Sequence, residues 1–226
     1  MILSAEQRNQ RGMTVIELVI AVVVLGAIFL FTLRGTTVVT SMRAIAVGHQ
    51  LQDLQTRVLA YQSRFGELPG DDPAAAARFN LPPAVALIGG RGVSTAGNGR
   101  IDGRLDDNVA ANAENFMAWR HMRAAAIVEG DADLAGASAR PENPFGGIYG
   151  FDENNLGFEK GALCGTRIPG AAAFDIDKRL DDGVINRGSV RATSRFSPEE
   201  FNHFDDADSQ AYDVEKEYII CVPVLP

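Results

Sequence analysis

Between Gly12 and Arg34 the chain runs for 21 residues, "MTVIELVIAVVVLGAIFLFTL", with a single charged side chain, Glu17. At about 1.5 Å of rise per residue, a helix of that length reaches roughly 31 Å, the thickness of a bilayer's hydrocarbon core. No other stretch is both long enough and apolar enough to do the same. The run therefore predicts one anchor followed by one globular body. Glu17 is the anomaly. An acidic residue at the centre of such a helix costs about 2.5–3.5 kcal/mol on an insertion scale. An ionisable group there points to function and needs a partner.

The flank ahead of the run, "MILSAEQRNQRG", holds Arg8 and Arg11 against Glu6. The formal charge of the whole chain is −8, so the remainder is at −9. A short basic flank predicts a cytoplasmic N-terminus and an exported body. A body this acidic excludes general nucleic-acid binding, which needs a basic surface. Its two cysteines, Cys164 and Cys221, would lie in an oxidising compartment, which favours a disulfide between them over two buried thiols. In the chain-entropy model a loop of that length contributes about 4 kcal/mol. Neither cysteine has metal-ligand spacing.

Three fates are open to the N-terminus. A secretory signal peptide would be cut after the apolar run, but "GTTVVTSMRAIAVGHQ" offers no good small-residue site. An uncut single-pass anchor fits the length and leaves Glu17 unexplained. A cut ahead of the run, between Gly12 and Met13, would create an α-amino cation close to Glu17.

The third fate has a family attached. "RGMTVIELVIAVVVLGAI" resembles the leader of type IV prepilins and type II secretion pseudopilins. The shared pattern is a basic leader ending in glycine, a hydrophobic residue, Thr or Ser, two aliphatics, Glu and Leu. Here these are Gly12, Met13, Thr14, Val15, Ile16, Glu17 and Leu18. The resemblance implies cleavage between Gly12 and Met13 by a prepilin peptidase and N-methylation of Met13. It also implies that Glu17 pairs with the terminal amine of a neighbouring subunit during assembly. Many major pilins carry a proline about twenty residues after the cut. This chain has Arg34 and Gly35 in that region, which tilts the reading toward a minor subunit.

After the run the helix continues. Ala44, Val47, Leu51, Leu54, Val58 and Tyr61 recur at three and four residues and predict one apolar face. Gly66 and "LPGDDP" stop it, with Asp72 and Pro73 predicted to open a short helix. Residues 80–108 read as a loop-rich stretch. "NAENFMAWRHMRAAAIVEG" predicts an amphipathic helix capped by Asn112, with Phe116, Trp119, Met122 and Ala126 facing a core and Gly130 ending it. The C-terminal third reads as short strands, "GIYGF", "LGFEKGALC", "GSVRAT" and "EYIICVPV", with a helical turn at "FDIDKRL". The expected fold is α+β and pilin-like: a long N-terminal helix packed on an antiparallel sheet with additional short helices. The expected divisions are a leader at 1–12, a membrane or filament-core helix at 13–34, a stalk helix at 35–66 and a periplasmic body at 67–226.

Two acidic stretches raise a metal reading. In "GNGRIDGRLDD", Asn98 and Asp102 fit an EF-hand loop around Gly103, but Arg100 takes a ligand position and no acid stands at the twelfth. An irregular calcium site from Asp102, Asp106 and Asp107 is the alternative, set against a solvated glycine-rich turn. His203 with Asp205, Asp206 and Asp208 is a second cation candidate, set against a solvated loop. No other cofactor is expected.

For catalysis the chain lacks His-Glu-x-x-His and Gly-x-Ser-x-Gly, and its three histidines are widely spaced. The expectation is a non-enzymatic pilin-like subunit of the bacterial inner membrane, single-pass, with its C-terminal body in the periplasm or in a filament. Its partners would be a prepilin peptidase/N-methyltransferase, other pilin or pseudopilin subunits and an inner-membrane assembly platform. The rivals are a membrane-anchored exported enzyme, for which a glycosidase-like carboxylate pair is the open route, and a ligand-binding or adhesin domain.

Overall fold

The computed structural model describes residues 13–88, 91–105, 111–153, 155–194 and 211–225; of these, the side chains at 30–37, 85–95 and 155 are left aside. The chain divides into two compact units, Met1–Thr40 and Ser41–Pro226.

The described part of the first unit is helical from Val15 onward. Helix α1 spans Val15–Phe65 and so begins in this unit. Every described side chain over 13–29 is exposed, although nearly all are apolar. Among the described residues, no helix is long and apolar enough to cross a membrane.

The second unit is α+β. Here α1 presents Ala44, Val47, Leu51, Val58 and Tyr61, all with no exposed surface, and Leu54 nearly so. These are the six positions that the three- and four-residue spacing singles out. Removing them from water at about 25 cal/mol per Å² is the main force holding the helix to the body. Two polar contacts set its register on the sheet. The Tyr149 hydroxyl and Gln50 Oε1 are hydrogen-bonded at 2.6 Å, and Gln55 Nε2 donates to the Pro223 carbonyl at 2.6 Å. The helix ends where Gly66 adopts φ +85, a left-handed conformation that costs glycine nothing.

Helix α2 (Ala75–Phe79) follows. Asp72 Oδ1 accepts from the Ala74 amide at 2.9 Å, so the expected aspartate does organise the turn into the helix from two residues further out. Residues 80–108 are not all loop. Strands β1 (Val85–Ile88) and β2 (Arg91–Thr95) form an antiparallel hairpin with a bulge between Ala86 and Leu87. Helix α3 (Glu114–Ala124) starts after Ala113 and not under an Asn112 cap. Asn112 instead donates to the Pro83 carbonyl at 2.9 Å. The helix also stops well before Gly130, since Ala126 takes φ +56 and is exposed. Phe116, Trp119 and Met122 are buried as the stripe requires, with Trp119 against Phe151 at 5.0 Å between ring centroids.

The main sheet comprises β3 (Tyr149–Asp152), β4 (Ala162–Pro169), β5 (Arg191–Thr193) and β6 (Glu217–Pro223). Its order is β3-β4-β6-β5, antiparallel throughout. Helix α4 (Gly170–Leu180) joins β4 to the loop before β5, a full helix where the sequence suggested one turn. Alternation along the strands separates two cores. Tyr149, Phe151, Leu163, Ile220 and Val222 join the large core with α1, α3 and α4. Ala162, Cys164, Ile219 and Cys221 face the opposite way, with Leu105, Leu156 and Phe158. Cys164 and Cys221 are direct partners in the β4–β6 ladder, and a disulfide joins them.

Candidate functional site

The N-terminal motif resolves into a local hydrogen-bond pattern. The Glu17 amide donates to Thr14 Oγ1 at 3.3 Å, and the Thr14 amide donates to Glu17 Oε2 at 3.4 Å. This is a reciprocal capping box, in which a Thr and a Glu three residues apart satisfy each other's orphan amides at a helix start. The "TVIE" spacing is therefore also a helix-initiation signal, a role that the membrane reading of Glu17 did not include. Met13 precedes it and is exposed. Gly12 lies outside the described residues.

The second candidate is the glycine-rich loop at 97–103. Asp102 is buried there, as a site residue would be, while Asp106 and Asp107 lie outside the described residues. So do His203, Asp205, Asp206 and Asp208. Two acids that the sequence did not associate with this loop join Asp102. Asp71, fully buried, accepts from the backbone amides of Gly97, Asn98 and Gly99, the last two at 2.9 and 2.6 Å. Glu114, also fully buried, uses Oε2 to accept from the Asp102 amide at 2.9 Å. Asp102 itself accepts from Asn98 Nδ2 and has Arg100 Nε at 3.7 Å from Oδ1.

Gly70 makes this approach feasible. Its φ is +91, and a Cβ there would collide with the Glu114 carbonyl oxygen. Burial, with Asp102 and Asp71 close by, pushes the Glu114 carboxyl up to about 8. The Asp71 signal was masked because "LPGDD" reads as a helix stop. The Glu114 signal was masked because "NAEN" reads as a helix start.

The adjacent Asp72 is different, because its charge is met. Burial opposes its ionisation, but hydrogen bonds from Arg78, the Tyr61 hydroxyl and the Ala74 amide outweigh that and hold the carboxyl below its ordinary range. His121 stacks on Tyr61 and accepts from the Gly70 amide through Nδ1 at 3.0 Å. Burial pushes its imidazole down to about 4, so it is neutral at pH 7. With Nδ1 accepting, the ring proton sits on Nε2. His49 is exposed on α1.

A third acidic group closes the loop after α4. One oxygen from each of Asp177, Asp181 and Asp182 lies within 4.8 Å of the others. All three are already engaged as acceptors. Asp177 takes the Tyr212 hydroxyl at 2.7 Å, Asp181 the Val190 amide at 3.1 Å, and Asp182 the Val184 amide at 2.8 Å. A cleft of about 240 Å³ runs along α1, lined by Asp53, Arg57, Glu129, Glu142 and Tyr149 among others. Asp53 pairs with Arg57 at 2.7 Å, and among the described residues no Ser, Cys or His lines the cleft.

Residues 7–33 match the family model of the prokaryotic N-terminal methylation motif. No curated protein and no solved structure matches the chain. The matched stretch contains Gly12, Met13, the Thr14–Glu17 capping box and the apolar run. The chain therefore carries the prokaryotic N-terminal methylation motif at residues 7–33, followed in the sequence by an α+β body.

Proposed function

We propose that this chain is a non-enzymatic, pilin-like structural subunit, a minor pilin or pseudopilin. A prepilin peptidase cuts between Gly12 and Met13 and methylates the new Met13 amine. The apolar helix holds the subunit in the bacterial inner membrane with its body in the periplasm. An assembly platform then draws it into a type IV pilus or a type II secretion pseudopilus with other subunits. The observation that carries this reading is the methylation motif at 7–33 with Glu17 inside it. A carboxylate in an apolar setting is inexpensive only beside a cation. The α-amine released at Met13 is such a cation, and methylation leaves its charge in place.

The reading is tested by intact mass and N-terminal sequencing of the protein expressed with a prepilin peptidase. A chain beginning at Met13, with or without an added methyl, supports it. A chain still beginning at Met1 overturns it and returns the N-terminus to an uncut anchor. An exported enzyme remains the rival class. Turnover by the purified protein that is lost on a single Asp or Glu change would establish that rival.

A further inference from the structure

We propose that the Asp71 and Glu114 side chains share one proton, and that this proton latches the Gly70–Asp71 turn and the 97–103 loop to the start of α3, a hold that alkaline pH releases. The inference does not depend on the reading of the N-terminus. It starts from two acids in different chain segments, neither with any exposed surface. Their carboxyl groups are hydrogen-bonded to each other. Two carboxylates can only accept, so such a bond exists only where one of the pair carries a proton.

The surrounding donors decide which acid carries it. Asp71 takes the Gly97 and Asn98 amides on Oδ1 and the Gly99 amide on Oδ2. Amides on both oxygens favour the charged form. Glu114 takes one amide, that of Asp102, on Oε2. Its Oε1 is buried and receives no donor, so Oε1 is the oxygen left to hold the proton and donate it to Asp71. The charges that face Glu114 are both negative, Asp71 from the turn and Asp102 from the loop. The neighbouring cations are engaged elsewhere. Arg100 is the counter-ion of Asp102, 3.7 Å away, and Arg78 pairs with Asp72. Within α3, His121 is neutral at pH 7 and Arg120 donates to the Ala132 carbonyl. The first turn of a helix favours an acid's charge, but full burial beside two acids works the other way and keeps the proton in place.

One proton thereby joins three segments. Asp71 gathers the loop through its three amides, and Glu114 ties Asp71 and the Asp102 amide to the first residue of α3. Without the proton, two negative charges would face each other where neither reaches solvent, and like charges this close do not both ionise unless the site opens. Glu114 in the folded chain keeps its proton to about pH 8, against an ordinary 4.5. Between those values the folded chain binds a proton that the unfolded chain lacks. Stability therefore falls as pH rises, and the loss is complete above about pH 8. His121 acts in the opposite sense and only below pH 6.5, so the range above 6.5 belongs to the acid pair.

The test is urea unfolding of the full-length protein in detergent from pH 6.5 to about 9, below the range where tyrosines ionise. The reporter is the fluorescence of Trp119, the chain's one tryptophan, which is buried in the body. The expected result is an unfolding constant that rises about tenfold per pH unit up to about pH 8 and then levels. Glu114→Gln keeps a donor for Asp71 but has no proton to lose, and should abolish the slope. A native chain with no slope above pH 6.5, or a slope that persists in Glu114→Gln, overturns the proposal. Carboxyl carbon-13 NMR of the native chain reads the proton without any variant. One glutamate should change charge near pH 8, and glutamates that all change charge below about pH 6 overturn the shared proton. Protection of the Gly97, Asn98 and Gly99 amides from hydrogen exchange should fall over the same titration. Protection that stays constant to about pH 9 overturns the latch.

Discussion

Thr14 and Glu17 satisfy each other at the start of α1, the hydroxyl taking the Glu17 amide and the carboxylate taking the Thr14 amide. The same carboxylate that awaits a cation in the assembly reading thus has a second occupation within its own chain. The two roles separate by substitution. Glu17→Gln keeps a capping side chain and removes the charge, whereas Glu17→Ala removes both. Both variants should be cleaved normally and both should fail to enter filaments, as read by mature-protein size and by subunit content of sheared filaments. Incorporation of the Gln variant at native levels would leave the cap, and not the charge, as what matters.

Gly12 should control processing. A bulky residue there should leave the chain at its precursor mass when it is co-expressed with the peptidase. A normal mature band would remove Gly12 from the processing site.

The Cys164–Cys221 disulfide ties β4 to β6 at directly paired positions in the middle of the sheet. Cys164→Ser should lower the stability of the body by about 2–5 kcal/mol, the usual cost of losing a native disulfide from a small exported domain. Reductant should lower the native protein's melting midpoint toward that of the variant. Identical melting with and without reductant would contradict this.

Gly70→Ala should destabilise the body by more than about 1 kcal/mol, because φ +91 is strained for alanine and its Cβ would strike the Glu114 backbone. Gly66→Ala is the control, since it has a similar φ of +85 but open space around its Cβ. It should carry the conformational cost alone. Denaturant midpoints at fixed pH compare the two.

His121 gives the body an acid sensitivity. Its folded pKa is about 4, against an ordinary 6.5, because burial disfavours the charged ring. Above pH 6.5 it is neutral in both states, and its contribution is complete. Below that, the unfolded chain takes up the proton first, so stability falls between pH 6.5 and about 4, by about 3 kcal/mol in all. Urea unfolding across this range should show the loss, and His121→Asn should flatten it. A native profile matching that of the variant would remove His121 from the account.

Much of the scaffold was legible because it rests on short-range periodicity. The spacing of Ala44, Val47, Leu51, Leu54, Val58 and Tyr61 is a property of any helix, and all six are buried. The strand at "EYIICVPV" was readable as a short, β-branched apolar run. Boundaries set by tertiary contact were not. Asn112 is a competent cap, but Pro83 claims its side chain. The 85–95 hairpin carries glycines that locally signal only a turn.

The sequence by itself determined the N-terminus: an apolar run, a glycine before it, and a Thr and a Glu three residues apart, all read within one or two helical turns. The tertiary structure alone decided the acidic group. Asp71, Asp102 and Glu114 each carry an ordinary local role as turn, loop or first-turn residue. They meet because α3 packs against the Gly70 turn and the 97–103 loop folds over Asp71, and that proximity follows from how distant segments bury one another.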